Sequence, residues 1–194
     1  MEYSQPDFYR FNEDSFKLVD VVCKHHQKAS SILDAGSGCG IIGIELARRM
    51  KVGELHLLEV QKEFKEHIEI NLKNFLPQQK ASLSLLSFSS YTPARRFDLI
   101  VCNPPYYLPG KGEPNKNPHR GVCRSFLIDS WKELLGLFQR SLTLDGSAWV
   151  VVKNDRFLHS FIEKEVKATS LQSLIIPTDD ISFFRFTLHS EYKC

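Results

Sequence analysis

The sequence has no Cys-x-x-Cys pair, no opening basic segment followed by an apolar one, and no apolar run near the roughly 20 residues that span a bilayer. Its five cysteines are scattered, and an odd set without close pairs predicts free thiols in a reducing compartment. These absences argue against a disulfide-stapled secreted domain and against an integral membrane protein. We therefore expect a cytoplasmic location and no membrane partner.

A strong charge of either sign is also missing. The 25 basic and 23 acidic residues give a formal net charge of +2, which neither requires nor excludes nucleic acid as a partner. The 194 residues are 42% hydrophobic, enough for one domain with a substantial core. Since no linker, repeat or low-complexity tract interrupts the chain, we predict a single domain over 1–194. Within it, 1–30 would form a cap segment and helix, and 31–194 the core.

Helical and strand patterns alternate along the chain. Strands are predicted at 31–35, 54–59, 83–86, 97–102, 148–152, 170–176 and 181–189, and helices at 13–28, 40–50, 62–75, 124–140 and 155–168. This alternation predicts an α/β fold with a doubly wound, mostly parallel seven-stranded sheet. Only a short turn, 177–180, separates the last two strands, so they are predicted to form an antiparallel hairpin.

The first predicted strand runs into a glycine-rich loop. Alternate glycines let the backbone approach a ligand closely and open a helix whose free N–H groups face that ligand. Glu59 lies 19 residues beyond the last of these glycines, at the end of the second strand. An acidic residue at about this distance binds ribose hydroxyls. The loop residues predicted to bind a cofactor are Asp34, Ala35, Gly36, Ser37, Gly38 and Gly40.

Two kinds of cofactor are compatible with this glycine-rich loop. Gly38, Gly40 and Gly43 satisfy the spacing of a dinucleotide fingerprint, so a nicotinamide oxidoreductase is one hypothesis. Asp34 argues against it, because a carboxylate two residues before Gly36 would repel a pyrophosphate. The same carboxylate suits a cofactor that carries an ammonium group and no phosphate. We therefore expect S-adenosylmethionine.

The fourth predicted strand ends in Asn103-Pro104-Pro105-Tyr106. In an open α/β sheet, ligands bind beyond the carboxyl ends of the strands at the switch point. A planar amino nitrogen is a poor nucleophile, and two acceptors, the Asn103 side-chain oxygen and the Pro104 carbonyl, would hold its N–H groups. Pro105 would stiffen the turn and Tyr106 would stack on a flat target. This chemistry predicts methyl transfer to an amino group without a strong general base.

Basic residues follow this motif in the loop 109–124. They are Lys111, Lys116, Arg120 and Arg124, and we expect them to hold phosphates while Tyr106 and Tyr107 stack on an extruded base. A solvated loop that is basic by chance explains the same composition equally well. No metal site is predicted.

These residues resemble class I methyltransferases that act on amino groups, whose signature is Asn-Pro-Pro-Tyr/Phe. The segments 8–15, 34–47, 59–61 and 103–106 are similar to the bacterial tRNA adenine methyltransferases that act beside the anticodon of valine tRNA. The resemblance implies a Rossmann-like fold, S-adenosylmethionine as cofactor and tRNA as partner. It also implies that Arg10 and Phe11 lie over the cofactor, and that Val60 follows the ribose acid in the same pocket.

The sequence departs from that family in two places. The family has an acidic residue for the cofactor's adenine after the third strand, where this chain has Ser87-Phe88-Ser89-Ser90. Ser87 or Ser89 is expected to substitute for the acid, and Phe88 to pack on the adenine. The family also ends in a glycine- and lysine-rich segment, and this chain ends Ser-Glu-Tyr-Lys-Cys. The acceptor alternatives are therefore a glutamine side-chain amide in a protein and a guanine amino group in ribosomal RNA. A domain that binds a partner without catalysis is a further hypothesis.

Overall fold

The computed structural model of the chain describes residues 2–105, 118–124 and 129–189. Its strands are β1 (Lys28–Ala35), β2 (Lys51–Glu59), β3 (Ala81–Leu85), β4 (Phe97–Cys102), β5 (Leu142–Lys153), β6 (Leu171–Pro177) and β7 (Ile181–Leu188). Its helices are α1 (Glu13–His25), α2 (Ile41–Arg49), α3 (Lys65–Phe75), α4 (Pro118–Arg124), α5 (Trp131–Ser141) and α6 (Arg156–Val166). None of these helices, all within the described residues, has the length and apolar character that crossing a bilayer requires.

The described strands form one sheet in the order β3-β2-β1-β4-β5-β7-β6. Neighbours from β3 through β5 run parallel. Strand β7 runs antiparallel to both β5 and β6. The predicted α/β fold, a doubly wound and mostly parallel seven-stranded sheet with a C-terminal antiparallel hairpin, is confirmed. The strand order reverses between β1 and β4, which opens a crevice at their carboxyl ends.

Strand β4 shows why helices must cover both faces of the sheet. Leu99 and Val101 join the apolar cluster beneath α1, α2 and α3, whereas Ile100 and Cys102 join the cluster beneath α5 and α6. All four side chains are fully buried. A continuous apolar run is therefore required here, since both faces of the strand lie in a core.

Several element boundaries differ from the sequence prediction. Helix α1 ends at His25 and β1 begins at Lys28, three residues before the predicted start of the core. Helix α5 begins at Trp131 rather than near 124, because the Ser130 hydroxyl caps it by accepting a hydrogen bond from the Glu133 amide. Strand β5 begins at Leu142 rather than at 148, because the polar positions between them do not show a strand pattern in the sequence.

A partly buried polar contact joins the end of α1 to β5. The indole Nε1 of Trp149, which is fully buried, donates to His26 Nε2 at 3.2 Å and to Ser147 Oγ at 3.0 Å. His26 can accept this bond only when its Nε2 is unprotonated. Burial lowers the pKa of His26, and the charges of Arg185 and His25 lower it further.

This contact predicts that acid weakens the fold. Below pH ~6.5 the unfolded chain binds a proton that the folded His26 resists, so this contribution to stability is complete above that pH and declines below it. Urea unfolding at about pH 8 and about pH 5.5 measures the effect against His26→Gln. The variant is needed because Asp34, whose pKa is raised, shifts stability in the opposite direction in both proteins. A wild-type advantage that does not shrink in acid would contradict this assignment.

Candidate functional site

The glycine-rich loop and the Asn-Pro-Pro motif meet where the strand order reverses. Asp34 of β1 is paired with Val101 of β4. Gly36 and Asn103 each lie two residues beyond this pair, so the two turns leave the sheet side by side. Glu59 ends the neighbouring strand β2, which is paired with β1 on its other side. The carboxyl ends of three adjacent strands therefore supply the candidate site.

The loop after β1 has the backbone conformation that its glycines permit. The φ angles of Gly36, Gly38 and Gly40 are +69°, +54° and +83°. The amides of Gly36 and Ser37 both donate to the Leu58 carbonyl, at 2.8 and 3.0 Å. This bifurcated contact fixes the loop on the end of β2.

Asp34 is a fully buried carboxyl with one unused oxygen. Its Oδ2 accepts a hydrogen bond from the Gly43 amide at 2.8 Å, at the start of α2. Its Oδ1 has no hydrogen-bond partner among the described residues. Burial raises the pKa of Asp34 to about 7, the Gly43 bond opposes this rise, and the charge of Glu59 adds to it. A carboxyl in this state gains from a cationic ligand, which would satisfy the free oxygen and stabilise the charge.

Two other buried polar atoms near this loop are also without partners among the described residues. They are the Ser37 hydroxyl and the Gln61 side-chain oxygen. Buried polar groups are nearly always hydrogen-bonded in folded proteins. Together with Asp34 Oδ1, these atoms fit a polar ligand held at the carboxyl ends of β1 and β2.

Glu59 ties the loops after β1 and β2 together. Its Oε2 accepts from the Gly38 amide at 2.8 Å, and its Oε1 accepts from the Val60 and Gln61 amides, each at 2.9 Å. Burial raises the pKa of Glu59, and these three amide bonds oppose the rise. With a single bond at Oε2, the carboxylate keeps capacity for a further donor.

The N-terminal segment covers the glycine loop through Tyr9. The Tyr9 ring lies about the van der Waals distance from Gly38, where an added Cβ would meet it at 3.6 Å. Burial raises the pKa of the Tyr9 hydroxyl, which therefore remains protonated. Arg10 turns back onto its own segment, where its guanidinium donates to the Pro6 and Tyr9 carbonyls at 2.9 Å. Phe11 makes an edge contact with Tyr3. Tyr9 is thus a residue of this segment that contacts the loop.

The same segment is anchored on α3. The Tyr3 ring stacks on Phe75 with centroids 4.2 Å apart. The Asn71 side chain accepts from the Ser4 amide at 2.8 Å and donates to the Ser4 carbonyl at 2.9 Å. Asn71 also donates to the Cys39 carbonyl within the glycine loop, at 2.9 Å. The segment and the loop are therefore held by one buried amide.

The turn after β3 brings an aromatic ring against Gly36 of the loop. An added Cβ on Gly36 would meet the Phe88 ring at 3.4 Å. The turn is pinned by Asp129, whose carboxylate accepts from the Phe88 amide at 2.8 Å and from the Ser89 amide at 3.1 Å. Ser87 bonds instead to the hydroxyls of Ser89 and Ser90. An acidic residue thus reaches this turn from the start of α5.

The amide of Asn103 is oriented by α1. Its Nδ2 donates to Ser15 Oγ at 3.2 Å, and Ser15 is 2% exposed. Pro104 is buried and Pro105 is half-buried behind it. Of the residues predicted to contact the acceptor, Arg120 is exposed on α4. Tyr106, Tyr107, Lys111 and Lys116 lie outside the described residues, as does the side chain of Arg124.

Helix α4 packs against Phe8 of the N-terminal segment and against the turn that follows β2. His119 lies over Phe8 with ring centroids 5.2 Å apart, and its Nδ1 is 3.6 Å from a Glu63 carboxylate oxygen. Gln61 donates to Cys123 Sγ at 3.2 Å. The described end of the basic segment is thus beside the candidate cofactor site.

Sequence reasoning missed Tyr9, Gln61, Asp129 and Ser15 as contributors to this site. Tyr9 and Ser15 stand in segment 8–15 and Gln61 in segment 59–61, so the family resemblance was the local signal for these three, whereas Asp129 had none. The partners of Asp129 are 40 and 41 residues away, and those of Ser15 are 88 residues away. Contacts at such separation leave no periodic pattern.

A family profile described as methyltransferase small domain matches residues 13–173. Proteins named tRNA1(Val) (adenine(37)-N6)-methyltransferase are similar to the chain. The one from Pedobacter heparinus is 30% identical over 145 residues, which cover 74% of this chain and 59% of that protein. The one from Flavobacterium psychrophilum is 34% identical over 124 residues, or 63% of this chain and 52% of that protein. The chain thus spans little more than half the length of these relatives.

Solved structures with the same fold have low sequence identity to the chain. A ribosomal protein L11 methylase from Lactobacillus delbrueckii superposes with a TM-score of 0.68 at 16% identity, covering 93% of this chain and 81% of that one. The N-methyltransferase NodS from Bradyrhizobium japonicum, in complex with S-adenosyl-L-homocysteine, gives 0.62 at 14% identity, with 91% and 86% covered. These likenesses bear out the Rossmann-like fold.

Proposed function

The chain belongs to the methyltransferase small domain family, and we propose that it transfers a methyl group from S-adenosylmethionine to the exocyclic amine of an adenine in tRNA. The observation that carries this proposal is the Asn103 amide, fixed at the end of β4 beside the glycine loop. The names of the curated relatives support adenine in tRNA as the acceptor. Residues 1–194 would form one methyltransferase domain.

The donor would lie along the ends of β1 and β2. Asp34 Oδ1 would take its ammonium group, and the backbone of 35–40 would line its amino-acid part. Glu59 Oε2 would accept a ribose hydroxyl, with Val60 beside it. Phe88, which contacts Gly36, and Tyr9, which contacts Gly38, would exclude water. When bound, S-adenosylmethionine supplies a methyl group on a positively charged sulfur.

The acceptor amine would be held by Asn103 and Pro104. Asn103 Oδ1 would accept one N–H of the amine, while Asn103 Nδ2 donates to Ser15 Oγ at 3.2 Å. The Pro104 carbonyl would accept the second. These bonds place the nitrogen and favour the pyramidal, nucleophilic geometry. The nitrogen becomes acidic once it is alkylated, so water can take the released proton.

The acceptor RNA would be held by the segment that follows. Tyr106 and Tyr107 would stack on the extruded base, and Lys111, Lys116, Arg120 and Arg124 would contact phosphates. Since α4 contacts Phe8 and Gln61, the end of this segment would lie beside the bound donor. RNA binding and donor enclosure are therefore expected to favour each other.

Isotope transfer to competing acceptors tests the substrate class. Purified protein and methyl-labelled S-adenosylmethionine would be incubated separately with total tRNA, with ribosomal RNA and with release-factor protein. We expect label in tRNA alone, sensitive to Asn103→Ala. Label in ribosomal RNA or protein alone would overturn the tRNA assignment in favour of a guanine amino group or a glutamine amide.

Asp129 provides a prediction for the adenosine end of the donor. In Asp129→Ala the Phe88 and Ser89 amides lose a charged acceptor, so the turn that carries Phe88 should loosen. A hydrogen bond to a charged group contributes about 1.5–3 kcal/mol, so we expect S-adenosylhomocysteine to bind roughly tenfold more weakly. Titration calorimetry measures the change.

The analogue 5′-methylthioadenosine locates this effect, because it keeps the adenosine and lacks the amino-acid part. Asp129→Ala should weaken both ligands by the same factor. Asp34→Asn should weaken only S-adenosylhomocysteine. Equal affinity of wild type and Asp129→Ala for the analogue would show that Asp129 has no role at the adenosine end.

A further inference from the structure

Gln61 is a buried amide that lies between the candidate donor site and helix α4. It follows Glu59 by two residues, and its backbone amide donates to Glu59 Oε1 at 2.9 Å. The residue is 7% exposed, and its side-chain Nε2 donates to Cys123 Sγ of α4 at 3.2 Å. Its Oε1 has no hydrogen-bond partner among the described residues. One end of the side chain therefore contacts α4, and the other end is left for a ligand.

The residues around this amide belong to the donor site. Glu59 also accepts from the Gly38 amide of the glycine loop, and the Tyr9 ring lies against Gly38. Burial raises the pKa of the Tyr9 hydroxyl, and the charges of nearby groups, Cys123 and Glu59 among them, raise it further. Tyr9 is thus near both residues that Gln61 contacts. The unpartnered end of the amide therefore lies in the part of the site where the donor is expected.

Helix α4 belongs to the acceptor side of the site. It follows the Asn-Pro-Pro motif along the chain and carries Arg120, which is exposed and predicted to contact a phosphate. Cys123 lies about one turn further along and is half-buried. A residue that contacts both Cys123 and the donor would connect the two substrates of the proposed reaction.

The amide of Gln61 can make both contacts in either orientation. A thiol and a ribose hydroxyl each donate and accept hydrogen bonds, so exchanging the oxygen and nitrogen of the amide would preserve a bond at each end. A hydroxyl of the donor's ribose is the matching group, because Glu59, which holds the Gln61 backbone, is expected to bind the same sugar. The contact therefore does not depend on how the amide is turned.

We propose that Gln61 bridges the bound donor and α4, with one end of its amide on a ribose hydroxyl and the other on Cys123. The bridge rests on the function proposed for the site. Donor binding would hold α4 in place, and an acceptor that holds α4 would in turn strengthen donor binding. A residue that only fills space beside α4 would produce neither effect.

Gln61→Met tests the donor end of the bridge, because it keeps the length and packing of the side chain and removes the amide. We expect S-adenosylhomocysteine to bind roughly five- to tenfold more weakly, the effect of one lost hydrogen bond. Gln79→Met is the matched control. The Gln79 side chain donates to the Val52 and Gly53 carbonyls at 3.2 and 3.1 Å, at the opposite end of β2. Titration calorimetry should show unchanged affinity in this control.

Alkylation of Cys123 tests the α4 end without RNA. A half-buried thiol reacts fastest when its helix opens locally, so bound S-adenosylhomocysteine should slow its reaction with iodoacetamide about fivefold. Site-resolved mass spectrometry follows Cys123 beside Cys23, a half-buried thiol of α1 whose rate should not respond to the ligand. In Gln61→Met saturated with the ligand, Cys123 should lose this protection. Since the ligand still fills the site in that variant, the loss separates the bridge from direct shielding.

The outcomes distinguish the bridge from the proposed function. Equal protection of Cys123 in wild type and Gln61→Met, or no protection in wild type with the ligand bound, would overturn the bridge and leave the donor assignment standing. Unchanged affinity in Gln61→Met, or an equal loss in Gln79→Met, would also overturn it. If wild type does not bind S-adenosylhomocysteine, calorimetry shows this before any alkylation, and the proposed function fails together with the bridge.

Discussion

Asn103→Ala is expected to lower turnover roughly 10²–10³-fold, the loss that follows removal of one positioned polar group at a reacting centre. The amine would keep at most the Pro104 carbonyl as an acceptor, and its nitrogen would no longer be held in line with the methyl carbon. The affinity for S-adenosylhomocysteine should change little, because Asn103 Oδ1 serves the acceptor. Single-turnover methyl transfer and calorimetry measure the two quantities.

Asn103→Gln is the matched variant for this prediction. It keeps the amide but moves it by one methylene, and a displacement of about 1 Å is enough to cost ~10²-fold in rate. We therefore expect most of the activity to be lost in this variant also. Full activity in either variant, or a loss of donor affinity equal to the loss of turnover, would remove Asn103 from the reaction.

Asp34→Asn is expected to weaken S-adenosylhomocysteine at least ~30-fold at about pH 8, the effect of removing one partner of a buried charge pair. The change keeps an oxygen for the Gly43 amide and removes only the charge that faces the ammonium group. The loss of affinity for S-adenosylhomocysteine should therefore not come from disruption of the glycine-rich loop. Gly43 amide protection in hydrogen exchange checks that the loop is intact.

Asp34 also predicts how donor affinity depends on pH. The pKa of the unbound carboxyl is raised to about 7, so the charged form that binds an ammonium group is lost as the pH falls through that value. Wild type should bind S-adenosylhomocysteine about tenfold more weakly at pH ~6 than at pH ~8, and binding near neutral pH should release protons. The Asp34→Asn variant should show neither effect.

Asp98→Asn is the control for this pair of measurements. Asp98 lies near the start of β4, at the amino ends of the parallel strands and so at the end opposite to the candidate site. Its Oδ2 accepts from the Ser30 amide at 2.8 Å. Its substitution should leave the affinity and its pH dependence unchanged. If wild type and Asp34→Asn gave the same pH profile, the ammonium group would not bind at Asp34.

The sequence predicted the parts of the site that follow from local order along the chain. Asp34 and Asn103 end strands whose apolar pattern is unambiguous, and the sheet topology then brings them to one edge. Glu59 could be assigned in the same way from its distance to the glycine loop. These residues are recognisable because the backbone that carries them is regular.

The remaining contributors depend on tertiary packing. Asp129 bonds to Phe88 because α5 packs on one face of the sheet, and Ser15 bonds to Asn103 because α1 packs on the other. No acid stands beside Phe88 in the sequence, and the carboxylate that accepts from its amide, that of Asp129, lies 41 residues further along the chain. Neither contact follows from spacing, since each needs the packing of a helix on the sheet.

The central claim is that the chain methylates the amino group of adenine in tRNA, and nucleoside mass spectrometry tests it most directly. Total tRNA would be incubated with the protein and deuteromethyl S-adenosylmethionine, digested and analysed beside a reaction with Asn103→Ala. We predict deuteromethyl N6-methyladenosine from wild type and none from the variant. A protein that binds the donor but yields no labelled amino-methyl nucleoside, or one that labels a ring nitrogen or carbon, would contradict the account.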